Sequence, residues 1–177
     1  MGLLELGEIS ACRANAQGCA VTPAQLRDVL FANHNLAARL LLDDFLALLR
    51  TVPDADAQAA ASVLSRWSRD NRADSRGAIL FYEWWLRVRA APSLFSVAFD
   101  PADPVHTPRG LNLSDPQMVR LSVSALISAV RELRAAGFAL DVSVGEAQGF
   151  RTPRGRIPVP GGDGAEGVLN NIDVTPL

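Results

Sequence analysis

TPAQLRDVLFANHNLAARLLLDDFLALLRTVP, residues 22–53, opens on a helix start and closes on a helix stop. Thr22-Pro23-Ala24-Gln25 has the form of a capping box. The threonine accepts from the third helical amide, the proline sits where no N–H is needed, and the glutamine reaches back. Leu26, Leu30, Ala37, Leu41, Phe45 and Leu48 then recur at spacings of three, four or seven, so one apolar stripe runs along the segment until Pro53. That period predicts a single helix across the stretch, with His34 on it beside Asn33 and Asn35.

The chain beyond Pro53 continues in the same manner and then changes character. Ala57 to Trp67 is dense in alanine and predicts a second helix with Val63, Leu64 and Trp67 as its apolar edge. Ser68 to Ala73 is polar and reads as a loop. Asp74 or Ser75 can cap a third helix running to about Arg89, which carries Ile79, Leu80, Phe81, Trp84, Trp85 and Val88 before Pro92. Prolines recur from Pro92 to Leu113, where the apolar residues lose helical spacing and an extended connector is expected. Ser114-Asp115-Pro116-Gln117 is a second capping box. It opens a fourth helix with Met118, Leu121, Ala125, Ile127, Val130 and Leu133 inward and Gly137 as its left-handed end. Apolar runs at Leu140 to Val144, Arg156 to Val159 and Val168 to Val174 lie between turns and predict short strands or extended arms. The fold class is α+β: a mainly helical segment over 22–137, then strand and loop over 138–177.

At 177 residues and 49% hydrophobic, the chain can bury the core of one domain. Seventeen arginines, no lysine and nineteen carboxylates leave a net charge of −2, so no global positive field draws nucleic acid or anionic membrane. MGLLELGEIS lacks a basic run and a sustained apolar stretch, and reads as neither signal peptide nor anchor. Leu36 to Leu49 is broken by Arg39, Asp43 and Asp44 and is too short to span a bilayer. Cys12 and Cys19 are seven apart, a spacing that permits a local disulfide but fits no zinc pattern; a structural or incidental role is expected.

A search by residue type assigns no catalytic, cofactor-binding or metal-ligating residue. The two histidines are His34, read as a polar-face or satisfied interior residue, and His106, in the proline-rich connector. No serine sits in a Gly-x-Ser-x-Gly elbow, and no His-Glu-x-x-His occurs. Asp43 and Asp44 are adjacent on a helix and point about 100° apart, so they read as a solvated face and not as a ligand pair. The Gly161–Gly167 loop lacks the Gly-Lys-Ser/Thr ending of a phosphate loop and reads as a tight structural turn. Arg151, Arg154 and Arg156 form a basic patch without interleaved aromatics, a weak sign of nucleic acid. Trp67, Trp84 and Trp85 could line an acyl pocket, though tryptophans on helical faces more often pack in a core.

One longer pattern adds to this reading. Trp67, followed by Arg69-Asp70-Asn71-Arg72-Ala73-Asp74-Ser75-Arg76-Gly77-Ala78-Ile79-Leu80-Phe81, resembles the Trp-Asp…Asp-Ser-Arg-Gly-Ala-x-Leu-Phe signature in the large subunit of penicillin-acylase-type enzymes. Phe99-Asp100-Pro101-Ala102-Asp103-Pro104 with Thr107-Pro108-Arg109-Gly110-Leu111 is similar to the family's connector. Leu140, Gly145-Glu146 and Gln148, then Arg156-Ile157-Pro158-Val159, Gly161-Gly162 and Gly167-Val168-Leu169-Asn170, follow in the family's order. Ser68 departs from the usual acidic residue, Pro160 from histidine and Leu169 from phenylalanine. The acyl-homoserine-lactone and aculeacin acylases are the branch it resembles most.

The resemblance implies part of a larger αββα N-terminal-nucleophile hydrolase that cuts linear amide C–N bonds in acyl-homoserine lactones, lipopeptides or penicillins. Quorum quenching and antibiotic metabolism are the settings it implies. In that family a self-cleaving precursor, a zymogen, exposes a serine whose own α-amino group serves as base; that group's pKa near 8 suits proton transfer. Met1 and Gly2 carry no nucleophilic hydroxyl or thiol. The family's oxyanion-hole asparagine belongs to an Asn-rich element ending in Pro-Pro-Trp that is not found here, and Asn33 and Asn35 do not match its context. The expectation is therefore an internal piece of the large subunit, 1–177, inactive alone. Its partners would be the small subunit, the rest of the large subunit and an N-acyl small molecule, in the periplasm or outside the cell. No cofactor is expected; relatives can bind calcium, with no ligand identified in this stretch. The competing reading is a non-catalytic helical binding or interaction module.

Overall fold

The computed structural model describes residues 22–172. Cys12, Cys19 and the end of the run Val168 to Val174 lie outside them. The capping box at Thr22 forms, with both the Thr22 and Gln25 side chains bonded, and starts α1 (Pro23–Phe31). The helix predicted across 22–53 does not continue. Asn33 takes a left-handed φ of 54°, His34 makes an isolated bridge with Asp70, and Asn35 is extended and caps α2 (Leu36–Leu49) by accepting from Ala38 N at 2.9 Å. Asparagine tolerates the left-handed region and serves well as an N-cap, so two of them in three residues end one helix and begin another. The consequence is physical: α1 buries nothing and leaves Leu26, Leu30 and Phe31 exposed, whereas α2 buries Ala37, Ala38, Leu41, Leu42, Phe45 and Leu49.

Asp54 caps α3 (Ala55–Leu64), which ends earlier than the alanine run suggested, and Trp67 falls in the turn beyond it. The third predicted helix, α4 (Ala78–Val88), is not capped by Asp74 or Ser75. Gly77 holds the N-cap position at φ 118° with no side-chain cap. A β-carbon there would lie 2.8 Å from the Trp67 Cβ, so both the backbone angle and the close approach require glycine.

The connector contains a small antiparallel pair, β1 (Phe95–Val97) with β2 (Arg109–Leu111), in register Phe95↔Leu111 and Val97↔Arg109. α5 (Pro116–Ala135) is capped by Asp115, one residue after the predicted serine. It ends in a Schellman motif at Gly137: the Phe138 N–H donates to Leu133 O and the Gly137 N–H to Arg134 O. Its buried stripe is Met118, Ser122, Ala125, Leu126, Ala129, Val130 and Leu133, so Leu126 faces inward where Ile127 was expected.

The predicted extended run at Leu140 to Val144 instead leads into a one-turn helix, α6 (Val144–Ala147), because Ser143 and Glu146 form a capping box. β3 (Gly149–Thr152) and β4 (Gly155–Pro158) then form a hairpin with Phe150 opposite Ile157 and Arg151 opposite Arg156. A 3₁₀ turn at Gly164–Glu166 follows.

The core lies where α2, α4 and α5 meet, with α3 alongside. Phe45 and Trp84 stack at 4.3 Å between centroids, and Phe81 bridges Trp84 and Trp67, each at 5.2 Å. Trp84 Nε1 donates to Ser122 O at 3.1 Å, which satisfies its polar edge across the α4–α5 contact. Among the described residues no helix is long and apolar enough to cross a membrane.

Candidate functional site

The loop of the signature, residues 69–77, is a hub onto which two distant segments are tied. Its own shape comes from Asp70, Ser75 and Trp67. Ser68 Oγ donates to Asp70 Oδ2 at 2.7 Å and Arg72 N to Asp70 Oδ1 at 3.2 Å, an Asx-type turn. Trp67 Nε1 donates to Asp70 O and to Ser75 Oγ, each at 2.8 Å, and Ser75 Oγ donates on to Asp70 O at 2.5 Å. Ser75 is thus an interior strut, and Asp74 is left at the surface with Arg72 at 3.8 Å. Arg76 is exposed; it donates to Asp141 O at 2.8 Å and lies 3.5 Å from Glu146.

The N-terminal segment attaches through main chain. Asn35 N donates to Arg69 O at 3.0 Å and Asn71 N to Asn33 O at 2.8 Å. The C-terminal segment attaches at the same place, with Gly161 N donating to Asn71 O at 2.8 Å. Asn170 Nδ2 donates to Asn33 Oδ1 at 2.6 Å and to Leu30 O at 3.1 Å. Between them sits Glu166, 1% exposed. Its Oε1 accepts from Asn35 Nδ2 at 2.7 Å, and its Oε2 from Asn71 Nδ2 at 3.5 Å and Asp163 N at 3.3 Å. Gly162 leaves the space: a β-carbon there would come within 2.7 Å of Glu166 Oε2.

Burial pushes the Glu166 carboxyl up to about 7, against the lowering effect of the Asn35 and Asp163 hydrogen bonds; the Asp163 carboxylate adds to the rise. Tyr82, buried on α4, is raised by burial and by the charges of Asp163 and Glu166. Arg89 pairs with Asp163 at 3.1 Å and closes the cluster from the end of α4. Each side chain of this cluster holds another part of the chain. Ser75, the serine at its centre, has the Asp70 carbonyl and the Trp67 indole for hydrogen-bond partners, so at this point the hub joins one stretch of the loop to another.

The residues weighed from sequence fall elsewhere. His106 is exposed on the β1–β2 loop, its Nδ1 2.6 Å from Asp103 Oδ1, and His34 is at the α1–α2 break. Asp43 and Asp44 diverge. Asp43 pairs with Arg69, whose hydrogen bond holds its carboxyl low, and Asp44 Oδ2 accepts from Leu111 N at 2.9 Å and docks β2, so only Asp43 is a solvated residue. Trp67, Trp84 and Trp85 are all buried in the core. Arg151, Arg154 and Arg156 are exposed on the β3–β4 hairpin, with Arg156 donating to Glu146 O. A cavity of about 260 Å³ is lined by Glu83, Glu132, Leu133, Ala135 and Ala136, and Arg87 pairs with both glutamates at its wall. The described residues hold no group of three or more His, Cys, Asp or Glu that could take a metal ion.

Of the hub residues, Asn35 was weighed from sequence only against the family's oxyanion asparagine, Asn71 stood inside the signature without a role, and Glu166 was not singled out. Two signals pointed to them: a pair of asparagines in the middle of a helical period, and Asp163-x-x-Glu166, a capping box inside the glycine loop.

Comparison with known proteins agrees with the geometry in extent. Aculeacin-A acylase from Actinoplanes utahensis is 34% identical over 181 residues, covering 97% of this chain and 22% of the relative. Acyl-homoserine lactone acylase PvdQ from Pseudomonas putida is 34% identical over 140 residues, 78% of this chain and 18% of the relative. PvdQ from Pseudomonas syringae pv. syringae is 30% identical over 156 residues, 85% and 20%. The chain thus spans about a fifth of the length of these relatives. Residues 8–174, a range that contains every element of the hub, match the penicillin amidase family, and the chain belongs to that family of N-terminal-nucleophile acylases.

Proposed function

We propose that this chain forms the scaffold of an acylase large subunit and carries no catalytic residue of its own. The intact enzyme would hydrolyse the amide of an N-acyl compound, an acyl-homoserine lactone, a lipopeptide or a penicillin. Water would split the C–N bond, the acyl group leaving as a carboxylic acid and the other part as an amine. The serine nucleophile, its α-amino base and the oxyanion donors would come from polypeptide outside residues 1–177, namely the small subunit and the rest of the large subunit, in the periplasm or outside the cell. The observation that carries this reading is the family match over residues 8–174 together with a signature loop whose polar side chains are bonded to other parts of the chain. Catalysis of this type needs a nucleophile within reach of a base and donors aimed at the oxyanion. Ser75 lacks the first.

The test is an exchange. Residues 8–174 replace the matching stretch of aculeacin-A acylase, and release of fatty acid from aculeacin A is followed. A chimera that matures and deacylates supports the scaffold reading, and one that folds and matures without activity sinks it. The 177-residue chain alone is expected to release no acid from aculeacin A, an acyl-homoserine lactone or penicillin G above background.

A further inference from the structure

Residues 161–172 form a loop closed on itself. Gly162 and Asn171 make a parallel bridge, with Gly162 N donating to Asn170 O at 3.2 Å and Ile172 N to Gly162 O at 2.9 Å. Asn171 Oδ1 accepts from Gly164 N at 3.0 Å and braces the turn from within. A compact loop with joined ends can leave its seat in one piece, without unravelling. What holds it in place is mostly polar. Val168 is its one buried apolar side chain, and it stands outside the main core. The ties are Gly161 to Asn71, Asp163 to Arg89, Asn170 to Leu30 and Asn33, and Glu166 to Asn35 and Asn71. A segment anchored by few apolar contacts opens at much lower cost than the core.

Of these ties, Glu166 is the one carboxyl whose partners are all neutral: two side-chain amides and the Asp163 N–H. Several charged or titratable groups lie on the elements that meet there. Asp163 is in the same loop and pairs with Arg89 at the end of α4, where Tyr82 also faces the two carboxyls. On the hub, Arg69 pairs with Asp43 and Arg72 with Asp70. His34 and Arg39 flank the Asn35 cap along the chain. A proton on Glu166 leaves a neutral, fully bonded group in the interior. Its loss puts a second buried carboxylate beside Asp163, with only neutral donors to offset the desolvation.

We propose that the 161–172 loop is a proton-controlled clasp, which closes on the hub when Glu166 is protonated and lifts off as a unit when Glu166 ionises. Lifting carries Asn170 away from Leu30 and Asn33, so the junction between α1 and α2 loosens with it. Helices α2, α4 and α5 keep their packing, because the core they share contains no residue of the loop. The carboxyl titrates at about 7 in the closed loop and nearer its ordinary 4.5 once released. Opening is therefore rare in acid, grows by up to roughly tenfold per pH unit between those values, and levels off above them.

The experiment is amide hydrogen exchange of the 177-residue chain from about pH 5 to about pH 8, corrected for the intrinsic exchange rate at each pH. Protection across 161–172 should fall by up to roughly tenfold per pH unit until about pH 7, while protection of α5 keeps its level. Glu166→Gln should remove the slope, whatever the height of protection it leaves. Asp163→Asn, which takes away the neighbouring carboxylate and keeps an oxygen that can accept from Ala165 N, should move the upper end of the fall to lower pH. A loop already unprotected at about pH 5, or protection that does not change with pH, overturns the proposal. So does a slope that survives Glu166→Gln, which would assign the titration to another group. Exchange that rises in the loop and in α5 together also overturns it, since the proton would then act on the whole fold and not on a clasp.

Discussion

Replacing Glu166 by glutamine changes one charge at the point where three parts of the chain meet. The carboxyl is 1% exposed and its pKa is raised from 4.5 to about 7, with burial the largest cause. A raised acid favours the protonated form in the fold, so the folded state binds more protons than the unfolded chain between those values. Stability is therefore full below about pH 4.5, falls as pH rises towards about 7, and is flat above. The rise corresponds to about 3 kcal/mol at most. Asp43, Asp115 and Glu146 have the opposite sign, since their hydrogen bonds lower them and their contributions are lost at more acid pH.

Urea unfolding of both proteins at intervals from pH 4.5 to about 7 isolates this one group, because all other titrations cancel in the difference. The wild type should lose stability relative to the glutamine variant across that window, by up to about 3 kcal/mol. At the acid end glutamine should be the less stable of the two. The protonated acid's hydroxyl oxygen can still accept, whereas the amide NH₂ that replaces one oxygen only donates and faces either Asn35 Nδ2 or the pair formed by Asn71 Nδ2 and Asp163 N. Parallel pH curves for the two proteins, or a wild type that gains on the variant as pH rises, would refute the account of Glu166 as a buried acid whose hydrogen bonds do not offset its desolvation.

Asp74→Ala should change stability by no more than about 0.5 kcal/mol, since the side chain is exposed and caps nothing. Ser75→Ala should cost about 1 kcal/mol by chemical denaturation, because it removes the strut to Asp70 O while Trp67 Nε1 keeps its bond to that carbonyl. Gly77→Ala should cost about 2 kcal/mol, from a φ of 118° and a β-carbon 2.8 Å from Trp67, and a thermal melt within a degree of wild type would contradict it. Hydrophobic-dye fluorescence should fall with the pair Leu26→Glu and Leu30→Glu without a lower melting temperature, because α1 presents these side chains to solvent and buries none. Unchanged dye binding would place the exposed apolar surface elsewhere.

Sequence period located the helices because burial dictates it. Met118, Ala125, Val130 and Leu133 face inward on α5, and Gly137 ends it, since a stripe and a left-handed stop are each set by neighbours a turn away. The misplacements share one cause. Helical spacing carried the first helix straight through Asn33, because asparagine is merely unfavourable inside a helix, and nothing local says that Asn71 and Asn170 wait to bond it. Ser75 likewise has the composition of a cap, and the fold of the loop that brings the Asp70 carbonyl and the Trp67 indole onto it makes it a strut.

The same division runs through the site. That Asp43 and Asp44 do not act as a pair was legible, since adjacent helical positions diverge by about 100° whatever surrounds them, but that Asp44 docks β2 was not. Neither was the role of Glu166. Its partner Asn35 is 131 residues away, and the environment that raises its pKa is made by the loop folding back over Asn71. The order of the signature elements nonetheless carried this long-range information in another form. Trp67, Asp70, Ser75 and Gly77 hold one another in place, while Gly162 lets the returning loop close on Asn71 and Gly167 lets it close on Leu36. A spaced motif thus encodes a joint: three side chains and a glycine shape the receiving loop, and further glycines shape the segment that docks there. That explains how the family could be recognised in a stretch where a search for reactive groups returned none.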